Sequence, residues 1–333
     1  MKRVGNLMPR ICDYDNINEA FLRAVKGKRG KREVIRFCEN IDSNLREIAE
    51  KLYSGTYDFG HYHTFHIYDP KPRQICAAPF ADRVAFHAMM RICHPVFDNY
   101  QIYDSYASRV NKGVYAAIEQ AQKYARRYKW FVKIDVCKYF DSIHHDVLKH
   151  QLHCLFKDKG LQHLFDRIID TYHVGENRGL PIGNLTSQYF ANHYLAYADH
   201  FLKQQLHIRG TVRYMDDLLI FGDDHKTVLD SYKKYKCFLN ERLKLETHEP
   251  VLNRVGFGVP FLGYVIYPHK LNLTARSRHR FRVKLANLER QWYAGQITDA
   301  DYHEHIQALY AFTNKACIEK FNAKVIREKG IFP

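Results

Sequence analysis

The 333-residue sequence contains no Cys-x-x-Cys pair and no apolar run of about 18 residues. Its eight cysteines are scattered along the chain, which argues against a zinc ribbon or a disulfide framework and favours a reducing environment. The N-terminus lacks the apolar stretch of a signal peptide. We therefore expect a soluble, intracellular, cytoplasmic protein with no membrane partner.

Acidic residues are fewer than basic ones. Asp and Glu total 36 against 51 Lys and Arg, giving a formal net charge of +15. This balance favours a polyanionic partner, most often nucleic acid, although a membrane surface or a ribosome would fit the charge alone. The hydrophobic content of 46% is enough for a substantial core and two or three packed units.

Two adjacent carboxylates stand between apolar runs in Tyr214-Met215-Asp216-Asp217. β-Branched and aromatic residues on both sides predict strand, tight turn and strand. Two carboxylates at a hairpin tip repel each other, and a divalent cation relieves that repulsion. A solvated turn is the alternative, and it explains most Asp-Asp pairs taken alone.

A second acidic position lies upstream, at the end of a predicted strand. Residues 130–136 alternate, with Val132 and Ile134 on one face and Lys133 and Asp135 on the other. A buried strand rarely ends in Asp unless the carboxylate has a function.

Together these carboxylates match the needs of nucleotidyl transfer, which uses two Mg²⁺ ions about 4 Å apart. Mg²⁺ uses few carboxylates, because it keeps water and substrate phosphates as ligands. We predict Asp135, Asp216 and Asp217 as catalytic metal ligands, with a backbone carbonyl near Val136 as a further ligand.

A second acidic pair, in Gly222-Asp223-Asp224, resembles the hairpin sequence of many RNA-copying RNA polymerases. Here it follows the second predicted strand and precedes a helix. A helix N-cap is therefore the better explanation of this pair.

The order of predicted elements indicates an α+β fold. Strand, helices, hairpin, helix and strands resemble a split βαβ unit, an antiparallel sheet with helices on one face. A hairpin is predicted within 65–75 and a basic helical tail from about 274.

These motifs resemble those of reverse transcriptases over nearly the whole chain. Tyr214-Met215-Asp216-Asp217 matches the family's signature, Lys133-Ile134-Asp135-Val136 its preceding acidic motif, and Phe261-Leu262-Gly263-Tyr264 its primer grip. The resemblance implies a right-hand polymerase using two Mg²⁺ ions, with Mn²⁺ as a substitute. It also implies a basic helical extension at 1–60, fingers at 61–128, a palm at 129–268 with a fingers segment at about 150–185, and a helical thumb at 269–333.

The resemblance also assigns residues that contact substrates. Phe140 corresponds to a steric gate that crowds a 2′ hydroxyl, with a core Phe as the alternative. Arg73 and, less strongly, Lys71 would neutralise the incoming triphosphate, and Arg109 belongs to the next fingers motif. Template RNA, a cDNA or RNA primer and dNTPs are the implied partners.

One departure narrows the resemblance. Most reverse transcriptases carry Gln-Gly and then Ser-Pro before the long helix, where this chain has Ile182-Gly183, then Ser187-Gln188. That form is similar to reverse transcriptases of diversity-generating retroelements, which are bacterial or phage-encoded. The resemblance implies error-prone copying at adenines (mutagenic retrohoming), a small basic accessory protein, and no RNase H or endonuclease domain. It places Ile182, Gly183 and Gln188 beside the nascent pair.

Other readings remain open. The nearest is another bacterial reverse transcriptase of group II intron-like, CRISPR-associated or phage-defence type. A catalytically idle RNA-binding relative is a second alternative, and an RNA-templated RNA polymerase, disfavoured by Phe140, is a third.

Overall fold

The computed structural model describes residues 2–68 and 72–316. The α-helices in these ranges are α1 (Met8–Ile11), α2 (Tyr14–Val25), α3 (Arg32–Cys38), α4 (Ile41–Ser54), α5 (Phe80–Tyr100), α6 (Val114–Arg127), α7 (Tyr139–Ser142), α8 (His145–Leu155), α9 (Lys159–Asp170), α10 (Leu185–His200), α11 (His225–Leu243), α12 (Ala275–Tyr293) and α13 (Asp299–Asn314). The strands are β1 (His63–Ile67), β2 (Arg73–Ala77), β3 (Trp130–Ile134), β4 (Thr211–Tyr214), β5 (Asp217–Gly222), β6 (Val251–Arg254), β7 (Val259–Phe261), β8 (Tyr264–Ile266) and β9 (Leu271–Leu273).

The chain forms two compact units. The first unit comprises Met1–Val110, Asp135–His207 and Lys233–His248, and the second comprises Asn111–Ile134, Ile208–Tyr232 and Glu249–Pro333. The sequence-based division into extension, fingers, palm and thumb stays a prediction.

The core of the first unit is helical and aromatic. α5 packs against α2 and α10. Phe97 of α5 lies at the centre, with its ring 5.3 Å from that of Phe156 and 6.4 Å from those of Phe165 and Phe190. α10 buries residues on most of its circumference, as expected of a core helix rather than an amphipathic surface helix.

The first unit also contains the predicted hairpin. β1 and β2 form a two-stranded antiparallel sheet in which Ile67 pairs with Arg73 and His63 with Ala77. β1 is exposed along most of its length.

The second unit is built on a four-stranded antiparallel sheet in the order β4-β5-β3-β6. Its central strands are rich in β-branched and aromatic residues, and Phe131, Val132 and Leu219 are fully buried. α6 packs against β4 and β5 with an alanine-rich buried face. The predicted α+β fold with an antiparallel sheet is confirmed.

A second sheet, in the order β7-β8-β9, is followed by the helix pair α12 and α13. Thr274 caps α12 through the Ser277 amide, and Thr298 forms a capping box with Asp301 at the start of α13. Phe281 and Leu285 are buried between the two helices. The predicted helical tail is confirmed over these helices. None of the described helices has the length and apolar character needed to cross a membrane.

Candidate active site

The acidic hairpin has a two-residue turn. Tyr214 pairs with Asp217, so that Met215 and Asp216 form the loop between β4 and β5. Met215 has φ of +53°, a backbone conformation that costs about 1–2 kcal/mol for a residue with a side chain. The buried Arg213 guanidinium donates from Nη1 to the Met215 carbonyl at 3.0 Å and supports this turn. The predicted strand, turn and strand are confirmed.

Asp217 forms an ion pair with Lys133 of β3. The Lys133 Nζ lies 2.9 Å from Asp217 Oδ1, and the two side chains are 24% and 28% exposed. Burial of this extent gives the two charges an environment less polar than bulk water, which strengthens their attraction. Both residues belong to the second unit.

Asp135 and Asp217 are the chain neighbours of two residues that pair across β3 and β5. Ile134, the last residue of β3, pairs with Leu218; Asp135 follows Ile134 in the chain and Asp217 precedes Leu218. After Ile134 the chain enters the first unit, where the Asp135 carbonyl accepts from the His248 amide at 2.9 Å.

Val136, the predicted backbone ligand, is buried and forms an antiparallel bridge with Thr247. The two hydrogen bonds at this bridge use the carbonyl of Asp135 and the amide of Cys137, which donates to Glu246. The Val136 carbonyl therefore takes no part in them.

These residues fit a divalent metal by their chemistry, because carboxylate and carbonyl oxygens are the ligands that Mg²⁺ and Mn²⁺ accept. Asp135, Asp216 and Asp217 are all partly exposed and so accessible to a hydrated ion. Over residues 2–68 and 72–316, no three His, Cys, Asp or Glu side chains are grouped as a ready-made metal site. The assignment of the three aspartates as metal ligands stays a prediction.

Within the second acidic pair, Asp224 has a structural role at the start of α11. Its Oδ1 accepts from the Thr227 amide at 2.8 Å and its Oδ2 from the Thr227 hydroxyl at 2.7 Å. These hydrogen bonds lower the pKa of the Asp224 carboxyl. Asp224 therefore caps α11, as predicted.

Within the first unit, four predicted substrate residues lie on segments joined by backbone hydrogen bonds. The Cys76 amide of β2, the strand that carries Arg73, donates to the Ile182 carbonyl at 2.8 Å. The Leu180 amide donates to the carbonyl of Phe140 at 2.8 Å. The loop containing Ile182 and Gly183 thus connects the β1–β2 hairpin to the short helix that carries Phe140.

Gly183 is required at its position. Its φ is +120°, and a Cβ added there would lie 2.9 Å from Cγ2 of Ile75 and 3.3 Å from the Cys76 carbonyl oxygen. Only glycine combines this backbone conformation with such a close approach to β2.

Arg109 is held by internal hydrogen bonds. Its Nε donates to Asp98 Oδ1 at 2.7 Å, and its Nη1 donates to the carbonyls of Ile102 and Ser105 at 2.7 and 3.1 Å. The guanidinium thereby stabilises the C-terminal end of α5 and the loop that follows. Its predicted contact with substrate stays a prediction.

The remaining predicted substrate residues differ in what the structure shows. Gln188 is exposed in the first turn of α10, and its Oε1 accepts from the Ser108 hydroxyl at 3.3 Å. Arg73 is exposed on β2. Lys71 lies outside the described residues.

Two residues at the acidic hairpin were not predicted as functional. Lys133 was placed on the same strand face as Asp135, but its partner Asp217 depends on the register of another strand. No function was predicted for Arg213. An arginine inside the short apolar strand Thr211–Tyr214 was the available signal, because a charged residue is seldom fully buried without a partner.

Comparison with known families decides the assignment. Residues 69–265, more than half of the chain, match the family model described as reverse transcriptase (RNA-dependent DNA polymerase). The chain belongs to the reverse transcriptase family. The matched range contains the acidic hairpin, Asp135 and the loop at Ile182.

Two relatives of this reverse transcriptase are proteins of Saccharomyces cerevisiae. The putative COX1/OXI3 intron 2 protein is 27% identical over 172 residues, covering 49% of this chain and 20% of that protein. The putative COX1/OXI3 intron 1 protein is 24% identical over 224 residues, covering 63% of this chain and 27% of that protein. The chain thus spans only about a fifth to a quarter of the length of these relatives.

Solved telomerase structures show a more distant likeness. Apo telomerase from Candida tropicalis, truncated from its C-terminal domain, has a TM-score of 0.46 at 13% identity, covering 64% of this chain and 55% of that one. Telomerase from Candida albicans, in complex with the TWJ fragment of telomeric RNA, has a TM-score of 0.48 at 12% identity, covering 75% and 54%.

Proposed function

We propose that this reverse transcriptase copies an RNA template into cDNA by nucleotidyl transfer at Asp135, Asp216 and Asp217. The observation that carries the proposal is the register of β3 and β5. Ile134, which precedes Asp135 in the chain, pairs with Leu218, which follows Asp217, and Asp216 lies in the two-residue turn between β4 and β5. The reverse transcriptase family model, which matches residues 69–265, supports the same reaction.

The three aspartates would hold two divalent cations, with Mg²⁺ as the proposed metal and Mn²⁺ as its substitute. When bound, these ions neutralise phosphate charge and lower the pKa of the attacking 3′ hydroxyl. The protein's own contribution is to fix the carboxylates in place. The β4–β5 turn does this for Asp216 and Asp217, with support from the Arg213 hydrogen bond to the Met215 carbonyl.

Other side chains would select and orient the dNTP. Arg73, exposed on β2, would pair with the triphosphate, since a guanidinium matches phosphate oxygens in charge and geometry. The Phe140 ring would exclude a ribose 2′ hydroxyl by steric contact. The Phe140 carbonyl accepts a hydrogen bond from the Leu180 amide, and this bond fixes the backbone that carries the ring.

The test is primer extension on poly-rA with oligo-dT in the presence of Mg²⁺, comparing the wild type with Asp216→Asn. We expect the variant to lose more than about 100-fold in rate, because even outer partners of metal ligands are worth 10–100-fold. Asp223→Asn, which changes the neighbouring acidic pair and leaves the Asp224 cap intact, is the matched control and should retain activity. An inactive wild type, with RNA binding intact, would instead identify an idle RNA-binding relative.

At a finer level, we propose the error-prone enzyme of a diversity-generating retroelement, bacterial or phage-encoded and cytoplasmic, working with a small basic accessory protein. The supporting feature is Ile182 where most of the family has an amide. The Ile182 carbonyl is fixed by the Cys76 amide, so its side chain is presented from an anchored backbone. An isoleucine offers no hydrogen bond to the nascent pair, which weakens discrimination among incoming bases.

Sequencing the cDNA made by Ile182→Gln tests this idea. We expect fewer errors opposite template adenines in the variant than in the wild type. An unchanged adenine error rate would discard the role of Ile182, while leaving the polymerase proposal untouched.

An intron-type reverse transcriptase is the second candidate, because both yeast relatives are described as intron proteins. The DNA that flanks the coding sequence separates the two candidates. A template repeat beside a variable target gene supports the retroelement, and a surrounding intron supports the alternative.

A further inference from the structure

Lys133 occupies an unusual position for a lysine. It lies in β3, an inner strand of the four-stranded sheet, and pairs with Leu219 of β5 on one side and Val251 of β6 on the other. Its side chain is three-quarters covered. Long charged side chains usually remain in solvent, so a lysine held in this way needs a compensating charge.

The strand register dictates which charge compensates it. Asp217 is two residues from Leu219, the direct partner of Lys133, and side chains two residues apart share one face of a sheet. Lys133 and Asp217 are therefore diagonal neighbours on that face, within reach of a long side chain. Their observed separation of 2.9 Å between Nζ and Oδ1 agrees with this.

The same carboxylate oxygen cannot bind an ammonium group and a divalent metal at full strength. The adjacent carboxylates Asp216 and Asp217 also repel each other unless positive charge is present. An ammonium group on the same sheet face supplies that charge, and a metal ion must displace it or share the oxygen.

We propose that Lys133 is the resident counter-ion of Asp217 and competes with the divalent metal for this carboxylate. It thereby sets the metal concentration that the active site requires. The inference rests on the proposed function, because it needs Asp217 to be a metal ligand. In this scheme Lys133 acts through the Asp217 carboxylate and does not touch the reacting atoms.

The direct test measures metal binding without substrate. Mn²⁺ alone is titrated into the 333-residue chain, and free Mn²⁺ is followed by its electron paramagnetic resonance signal. Lys133→Met should bind Mn²⁺ about two- to fivefold more tightly than the wild type, the factor expected from removing a partly exposed ion pair. Lys133→Arg, which keeps the charge, should remain near the wild type.

Lys149→Met is the matched control. Lys149 is 23% exposed and its Nζ lies 2.6 Å from Asp170 Oδ1, so it resembles Lys133 in burial and pairing. It lies on α8, away in sequence from all three predicted metal ligands. Its removal should leave Mn²⁺ affinity unchanged.

A second readout is the Mg²⁺ concentration that gives half-maximal primer extension. It should fall in Lys133→Met by a factor similar to that for Mn²⁺ binding, with the KM for dNTP unchanged. An unchanged Mn²⁺ affinity overturns the inference. Weaker Mn²⁺ binding overturns it too, and would show that Lys133 orients Asp217 for the metal. A raised KM for dNTP with unchanged metal affinity would assign Lys133 to substrate phosphate instead.

Asp217→Asn separates failure of this inference from failure of the proposed function. If Asp217→Asn weakens Mn²⁺ binding while Lys133→Met has no effect, only the competition is wrong. If Asp217→Asn leaves Mn²⁺ binding unchanged, the metal site itself is misassigned. Circular dichroism of each variant establishes that the fold is retained.

Discussion

The two hairpins that carry predicted functional residues are held in opposite ways. β4–β5, in the second unit, belongs to a four-stranded sheet, and β5 is buried along nearly its whole length. β1–β2, in the first unit, is a two-stranded sheet whose first strand is exposed at four of five positions. The β4–β5 hairpin carries Asp216 and Asp217, and the β1–β2 hairpin carries Arg73.

The difference matches what each hairpin would have to do. Carboxylates that hold metal ions must stay fixed to fractions of an ångström, and strand pairing on both sides of β5 provides that rigidity. A two-stranded ribbon is only marginally stable by itself, so β1–β2 depends on its attachments, such as the Cys76–Ile182 hydrogen bond. A hairpin held in this way would be able to adjust to the nucleotide that we propose for Arg73.

The largest expected effect comes from truncating the buried hairpin. Leu219 is fully buried in β5 and pairs with strands on both sides, so Leu219→Ala should lower the free energy of unfolding by about 2–5 kcal/mol. Phe65→Ala, at a 43% exposed position in β1, is the matched change in the other hairpin and should cost far less. Urea denaturation of both variants checks this. Equal losses would contradict the contrast.

The second prediction concerns the attachment of β1–β2. Gly183→Ala should lower stability by about 1–3 kcal/mol, because alanine disfavours a φ of +120° and its Cβ would lie 2.9 Å from Ile75 Cγ2. We also expect a raised KM for dNTP in primer extension, since the same contact holds the strand that carries Arg73. Gly30→Ala, where a Cβ would meet nothing within 4 Å and φ is not positive, should be nearly neutral.

The third prediction is a pH dependence at the start of α5, beside the segment that leads into β1. Burial raises the pKa of Asp82 to about 6, although the Tyr57 hydroxyl donates to its Oδ1 at 3.1 Å. In the unfolded chain this carboxyl titrates near 3.9. Between these values the folded protein keeps its proton while the unfolded chain loses it, so stability falls as pH rises from about 4 to 6.

Asp82→Asn removes that titration. The variant should gain about 1–2 kcal/mol over the wild type at pH 7.5, less than the roughly 3 kcal/mol limit set by the shift, because a buried amide also loses hydration. Below about pH 4 the titration of Asp82 contributes nothing and only the cost of the buried amide remains, so the variant should be about 1–2 kcal/mol less stable than the wild type there. Thermal unfolding from pH 4 to 8 measures it, and a difference between the proteins that is constant with pH would rule out Asp82 as its source.

Local sequence patterns were enough for the buried hairpin. Alternating residues at 130–136 and the β-branched residues around Asp216 predicted β3, β4 and β5, and the Asp224 cap followed from its position before a helix. These features depend on neighbours in the chain. The hydrogen-bonded connection from Cys76 to Ile182 could not be predicted in this way, because it joins residues more than a hundred positions apart.

Charged residues were the hardest to predict. The resemblance placed Arg109 in a fingers motif, but nothing in the sequence indicated that its guanidinium would bond to Asp98 and to two carbonyls. Likewise, Lys133 lay in a predicted strand, and its ion pair with Asp217 was not predicted. A sequence gives the charge, but the oxygen atoms within reach depend on tertiary structure.

The smallest expected effect on stability is at Arg73, and it isolates the function of the exposed hairpin. Arg73→Ala removes an exposed side chain, so the free energy of unfolding should change by no more than about 0.5 kcal/mol. The KM for dNTP should nevertheless rise about tenfold, because one charge-assisted contact to phosphate is lost. Arg10→Ala, at an exposed position on α1, is the control for a general loss of positive charge. Steady-state primer extension separates the outcomes: an equal rise in both variants would mean that Arg73 acts through overall charge, and an unchanged KM in Arg73→Ala would remove β1–β2 from the nucleotide site.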